Sequence, residues 1–167
     1  APVSDNIYQA GAATNAFFCC STPLPGGPGN ITNNPFLIGV CNAHIATNSP
    51  CVNAGDNSLA AGTVDIDDEP RISGGTVDIG CDEVIAAGVT GALDVAILAP
   101  FTNAVCNFDL DFAADISGKA AGYVWNVDGH GSVGNALEIS RAWSAPGDYN
   151  VALTAFNLDH PAGVSAT

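Results

Sequence analysis

The chain has 167 residues and a formal net charge of −14 from 17 acidic and 3 basic side chains, with only 12% charged residues in all. Phosphate backbones are held by clusters of Lys and Arg, and Arg71, Lys119 and Arg141 are the whole supply, which excludes a nucleic-acid partner and disfavours an anionic membrane surface. Gly and Pro, 19 and 10 residues, interrupt the chain throughout and exclude long helices.

From Ala1 to Glu83 the sequence consists of short apolar pieces (Asn6-Ile7-Tyr8, Ala16-Phe17-Phe18, Pro35-Phe36-Leu37-Ile38) separated by turn-rich runs such as residues 22–30. This pattern predicts brief strands joined by long loops. Loops of that kind are uncommon in compact domains unless something orders them, and the six cysteines (Cys19, Cys20, Cys41, Cys51, Cys81 and Cys106) are placed to do so. With no Met and a single Lys, they point to an extracellular or cell-surface protein whose cysteines form disulfides. No Cys-x-x-Cys pair suggests zinc. Six cysteines allow fifteen connectivities. Cys51 with Cys81 is the preferred pair, because it brackets the repeat described next, and Cys106 is left to join two domains or two subunits. Asn30-Ile31-Thr32 is a formal glycosylation sequon.

Gly62-Thr63-Val64-Asp65-Ile66 recurs as Gly75-Thr76-Val77-Asp78-Ile79, each copy followed closely by acidic residues. Two short strands are predicted, with Val and Ile on one face and Asp on the other. The acidic group Asp65, Asp67, Asp68, Glu69, Asp78, Asp82 and Glu83 supplies candidate Ca²⁺ ligands, since that ion takes about six to eight oxygens from carboxylates and loop carbonyls. Solvated faces and Asx turns are the alternative use of the same residues. Arg71 is the only basic residue before Lys119. Pairing with the surrounding carboxylates is its simpler role, and service as a catalytic base the other.

Residues 84–99 are the most apolar stretch, shorter than the roughly 20 residues of a membrane-spanning helix and broken by Gly88, Gly91 and Asp94. They read as a linker running into a strand, so no membrane insertion is expected. Beyond Leu93 the pattern becomes alternating: Phe108, Leu110 and Phe112, then Tyr123 and Trp125, then Tyr149, Val151 and Leu153. Turn signals at Ser117-Gly118, Asp128-Gly129, Pro146-Gly147 and residues 157–161 divide them as in a small β-sandwich. Trp125 and Tyr149 are predicted to face the core. Trp143 is the more exposed aromatic and the candidate glycan contact. His44, His130 and His160 lie in separate segments, and no Gly-x-Ser-x-Gly, His-Glu-x-x-His or phosphate-loop motif is present, so no enzyme is expected and no catalytic or cofactor-binding residue is assigned.

Two resemblances follow from these segments. The run Tyr123-Val124-Trp125-Asn126-Val127-Asp128-Gly129-His130-Gly131, with Ile139-Ser140-Arg141-Ala142-Trp143-Ser144-Ala145-Pro146-Gly147-Asp148-Tyr149-Asn150-Val151-Ala152-Leu153-Thr154, resembles the PKD domain, an immunoglobulin-like β-sandwich. Asn126 and His130 stand where that family usually has Asp. The pieces Gly29-Asn30-Ile31-Thr32, Asn34-Pro35-Phe36, Ser49-Pro50-Cys51-Val52-Asn53-Ala54-Gly55-Asp56, Asp65-Ile66-Asp67-Asp68-Glu69-Pro70-Arg71-Ile72 and Thr76-Val77-Asp78-Ile79-Gly80-Cys81-Asp82-Glu83 are similar to the C-terminal end of right-handed parallel β-helix surface proteins of the choice-of-anchor type. Relative to both families the chain is short at each end, as expected either of a fragment of a larger protein or of a chain that neighbouring copies complete by strand complementation.

The fold expected from these resemblances is all-β: a short, disulfide-stapled β-helix-like cap over residues 1–93, followed by an immunoglobulin-like β-sandwich over residues 94–167. The expected function is a non-catalytic extracellular structural or adhesion protein that self-associates head to tail into a fibre or surface assembly. The alternative is a carbohydrate-binding accessory module of a secreted polysaccharide-degrading enzyme. Other copies of the chain are the expected partners, polysaccharide the alternative one, and Ca²⁺ the only cofactor considered.

Overall fold

The computed structural model describes residues 16–167. The protein is all-β, with antiparallel sheets and two single turns of 3-10 helix, Asn57–Leu59 and Ala86–Gly88, among the described residues. No helix among them is long and apolar enough to cross a membrane. The chain forms two compact units: residues 16–35 with Asn48–Ile85, and Phe36–Thr47 with Ala86–Thr167.

The second unit carries the regular structure. In chain order its strands are β1 (Leu37–Gly39), β2 (Asn42–Ile45), β3 (Asp94–Leu98), β4 (Leu110–Ser117), β5 (Gly122–Val127), β6 (Gly131–Gly134), β7 (Glu138–Arg141), β8 (Val151–Phe156) and β9 (Val164–Ala166). They form the hairpin β1-β2, a sheet in the order β3-β4-β7 and a sheet in the order β6-β5-β8-β9. Alternation explains which faces are covered. In β4, Leu110, Phe112, Ala114 and Ile116 are buried while Asp111 is exposed. Tyr123, Trp125 and Val127 of β5 and Leu153 and Ala155 of β8 bring the other sheet into the same core. The Asp128-Gly129 turn joins β5 to β6 with Gly129 at φ +80°, a left-handed conformation that glycine adopts without a Cβ penalty.

Two predicted core positions fall outside the strands. Phe108 precedes β4 and is 50% exposed, and Tyr149 precedes β8 and is 37% exposed. The alternating pattern continues through each, but neither lies in a strand, so side-chain period no longer decides the face. Tyr149 instead donates its hydroxyl to Ala145 O at 2.9 Å.

The β1-β2 hairpin, drawn from the first half of the sequence, docks on β4. Val40 N donates to Ala114 O at 3.0 Å, and Asn42 Nδ2 donates to Ile116 O at 2.9 Å. A Cβ at Gly39 would sit 2.9 Å from Ile116 N, so the close approach of the two backbones requires glycine. Tyr123 Oη reaches across to Leu37 O at 2.9 Å.

Burial pushes the Tyr123 phenol up from 10.0 to about 12. Folding holds the neutral form, so its contribution is complete below about pH 10 and is lost as pH rises through about 12. Spectrophotometric titration is expected to show a late phenolate step near pH 12 that Tyr123→Phe removes. An alkaline step unchanged by that substitution contradicts the assignment.

In the described residues of the first unit, hydrogen-bonded strand pairing is reduced to isolated bridges: Cys20 with Ile31, parallel, and Val64 with Pro70, antiparallel. The two strands predicted from the repeat do not form ladders. Their copies also occupy opposite environments: Val64 and Ile66 are each 46% exposed, whereas Val77, Asp78 and Ile79 are all buried. The apolar–Asp–apolar pattern therefore does not separate two faces, because Asp78 finds buried backbone donors of its own.

Candidate functional site

Side chains do in the first unit what ladders do in the second. Asp65 Oδ1 accepts from Asp67 N at 2.8 Å and Glu69 N at 2.9 Å, and its Oδ2 accepts from Glu83 N at 3.0 Å. Asp78 Oδ1 accepts from Asn53 N at 2.6 Å and its Oδ2 from Val84 N at 2.8 Å. Glu83 is 1% exposed. Its Oε1 accepts from Ser73 N at 2.7 Å, and its Oε2 from Asp78 N at 2.9 Å and Arg71 Nη1 at 3.4 Å. Buried carboxylates persist only when paired and hydrogen-bonded, and these meet that condition. Arg71 also donates to Gly80 O, so its guanidinium is committed to this network and is not presented to solvent as a base.

Of the seven candidate Ca²⁺ ligands, Asp65, Asp78 and Glu83 thus spend carboxylate oxygens on backbone N–H groups. Asp82 is buried, and Asp68 is exposed at a positive φ of 63°. Asp65, Asp67 and Glu69 each offer a carboxylate oxygen within 4.8 Å of the others. That grouping suits a hard cation by donor type, although Asp65 is engaged by Asp67 N and Glu69 N, which orders the turn without an ion.

Asn30 organises the preceding loop in the same manner. Its Oδ1 accepts from Cys19 N at 2.9 Å, while Nδ2 donates to Ala16 O at 2.8 Å and Pro25 O at 3.2 Å. Nδ2 is the atom a glycan would occupy, so the sequon serves the fold of this loop as it stands.

All six cysteines are free thiols in this structure. The expected Cys51–Cys81 pair is not formed: Cys81 is exposed, whereas Cys51 is buried and its thiol lies against that of Cys20. Cys106 is exposed within the second unit.

The second unit contains a groove of about 790 Å³ at one end of its two sheets. Ile97 of β3, Leu110 and Phe112 of β4, Val151 of β8, and Trp143 and Tyr149 line it. Leu98, Phe101, Val105 and Phe108, 46%, 61%, 77% and 50% exposed, belong to the same β3–β4 segment. Of these four, Val105 lines the groove, and an apolar groove with an exposed apolar side chain in its wall has the character of an interaction site.

The start of β8 borders the groove at Val151. The β8-β9 ladder pairs Ala155 with Val164 and Leu153 with Ala166. Asp128 N donates to Asn150 O at 3.0 Å, and Asn150 N donates to Asp128 Oδ2 at 3.0 Å, so the Asn150 backbone faces β5. Alternation turns the N–H and C=O of Val151 to the β9 side, beyond the last pair of that ladder.

Trp143 is half-buried beside the groove. It stacks on Tyr149 at 4.9 Å and 19°, His130 meets its edge at 5.3 Å, and its Nε1 donates to Asp128 O at 2.7 Å. His130 itself is tied to Ala142 O at 3.0 Å, and His160 N donates to Asn157 Oδ1 at 2.9 Å in the turn before β9.

Sequence reasoning missed the groove. Its signal was the apolar, strand-like Val95 to Phe101 run passing without alternation into the loop that holds Val105. No protein-family model, curated protein or solved structure matches the chain.

Proposed function

We propose that this is a non-catalytic extracellular structural protein that assembles head to tail with copies of itself, a strand of one copy entering the groove of the next. The observation that carries the reading is the apolar groove lined by Ile97, Leu110, Phe112 and Val151 at the start of β8. Strand addition uses pockets for alternate side chains, which an apolar groove beside a strand supplies. The first unit is read as a β-helix-like cap and the second as a PKD-like, immunoglobulin-like sandwich, the latter supported by two antiparallel sheets sharing a core around Trp125.

A second copy is the preferred occupant because the groove asks for an apolar, nearly uncharged segment, and residues 1–15 have that character, with Asp5 their only charged side chain. A net charge of −14 opposes the approach of copies, so salt and divalent cations should favour assembly by screening.

Sedimentation velocity across a concentration series tests the proposal. The wild-type chain is expected to form large species that grow with concentration and ionic strength. Val105→Asp, in the wall of the groove and 77% exposed, should weaken assembly at least tenfold, a loss of about 1.4 kcal/mol or more, with the circular dichroism spectrum unchanged. A wild-type monomer at every concentration overturns the reading.

A further inference from the structure

We infer that Cys20 and Cys51 are the two partners of a disulfide that closes the first unit. This goes beyond the assembly reading and does not depend on it. Both residues are anchored to one stretch of chain, residues 31–35. Cys20 pairs with Ile31 in a parallel bridge, its neighbour Ser21 N donates to Ile31 O at 3.0 Å, and its Sγ donates to Asn33 O at 3.1 Å. On the other side Ser49 Oγ donates to Pro35 O at 2.6 Å and accepts from Cys51 N at 3.1 Å. Ile79 N donates to Cys51 O at 2.9 Å, fixing the second cysteine from behind.

The Cys51 thiol neighbours that of Cys20 closely enough to help raise its pKa. The adjacent Cys19 is not an equivalent partner. Successive side chains on extended chain point to opposite sides, and its Sγ donates to Phe17 O at 3.3 Å. Cys51 is 1% exposed, so the exposed thiol of Cys81, in the same unit, has no open approach to it.

Oxidation proceeds by exchange with a small-molecule disulfide. The Cys20 thiolate attacks one sulfur of the oxidant and expels the other as a thiolate, leaving a mixed disulfide on Cys20. The Cys51 thiolate then attacks the Cys20 sulfur and expels the second half of the oxidant. Two protein thiols become one disulfide, the oxidant is reduced to two thiols, and the two protons released go to the departing thiolates. Burial, with the neighbouring Cys51 thiol, pushes Cys20 up to about 12, so the first attack is slow at neutral pH and faster as pH rises.

The bond would enclose a ring of about 30 residues that contains the Pro- and Gly-rich loop of the first unit and the β1-β2 hairpin of the second. Its effect falls on the unit that needs it most: the second unit has sheets, while the first is held by isolated bridges and side-chain hydrogen bonds.

The test is oxidation of the folded full chain with oxidised glutathione, followed by alkylation in denaturant and a chymotryptic digest. Free thiols are expected to fall from six to four, with fragment 19–36 linked to fragment 38–59. The link should survive Cys19→Ser and Cys41→Ser and disappear in Cys20→Ser and in Cys51→Ser. The oxidised protein should also melt at a higher temperature than the reduced one. Six thiols still alkylated, or a link that persists in Cys20→Ser or in Cys51→Ser, overturns the assignment; if a variant fails to fold, tandem mass spectrometry of the linked wild-type fragments decides the matter by locating the bond within each, and a bond at Cys19 or Cys41 overturns it.

Discussion

Replacing Trp125 by Ala is expected to destabilise the second unit by about 4–5 kcal/mol, near the top of what one substitution does. The indole is fully buried, its strand neighbour across β8 is the equally buried Leu153, and Val133 of β6 lies opposite on the other side. Truncation removes that packing and leaves a cavity between the sheets. It also leaves Ala136 O without the Nε1 donor that reaches it at 2.8 Å, which adds about 1 kcal/mol. Urea unfolding followed by far-ultraviolet circular dichroism measures the loss. Trp125→Phe, which keeps most of the apolar volume and gives up the hydrogen bond, should cost less than half as much. A cost below about 2 kcal/mol for the alanine variant contradicts the placement of this residue at the centre of the core.

Glu83→Ala is expected to cost the first unit about 3–5 kcal/mol, the range for breaking a buried ion pair by removing one partner. The single carboxylate joins Ser73, Asp78 and Arg71, three positions that have no strand ladder to hold them. Its loss leaves buried N–H donors and the Arg71 charge unmatched. The readout is amide hydrogen exchange, because both tryptophans lie in the second unit. Ser73 and Asp78 amides should lose their protection, with β4, β5 and β8 unaffected. Protection retained at Ser73 and Asp78 contradicts the role given to Glu83.

The two units were legible in the sequence to very different degrees. In β4, β5 and β8 apolar residues alternate over six to eight positions, and such a pattern announces both a strand and its buried face. It fails just outside the strands, where Phe108 and Tyr149 continue the alternation into irregular chain. The position of β1-β2 was hidden because its contacts with Ala114, Ile116 and Tyr123 span more than 70 residues. No local period encodes a contact of that range.

In the first unit the sequence showed acidic residues and turns but not their use. Asp65 and Asp78 occupy equivalent places in the Gly-Thr-Val-Asp-Ile repeat, yet one sits between exposed Val64 and Ile66 and the other between buried Val77 and Ile79. What separates them is the set of backbone donors each meets, which only the folded chain supplies. Arg71 beside Glu83 was legible, since one cation among many carboxylates has few alternatives. The nearness of Cys20 to Cys51 was not, because it depends on the loop ordered by Asn30 and on the Ser49 hydrogen bond to Pro35.

Hydrogen exchange along β8 as a function of protein concentration tests the central claim most directly. Strand entry beside β9 should protect the Val151 amide at least tenfold as assemblies form, with the outward edges β6 and β7 unchanged. Assemblies that grow while Val151 exchanges at the same rate, or that protect another edge instead, would contradict it.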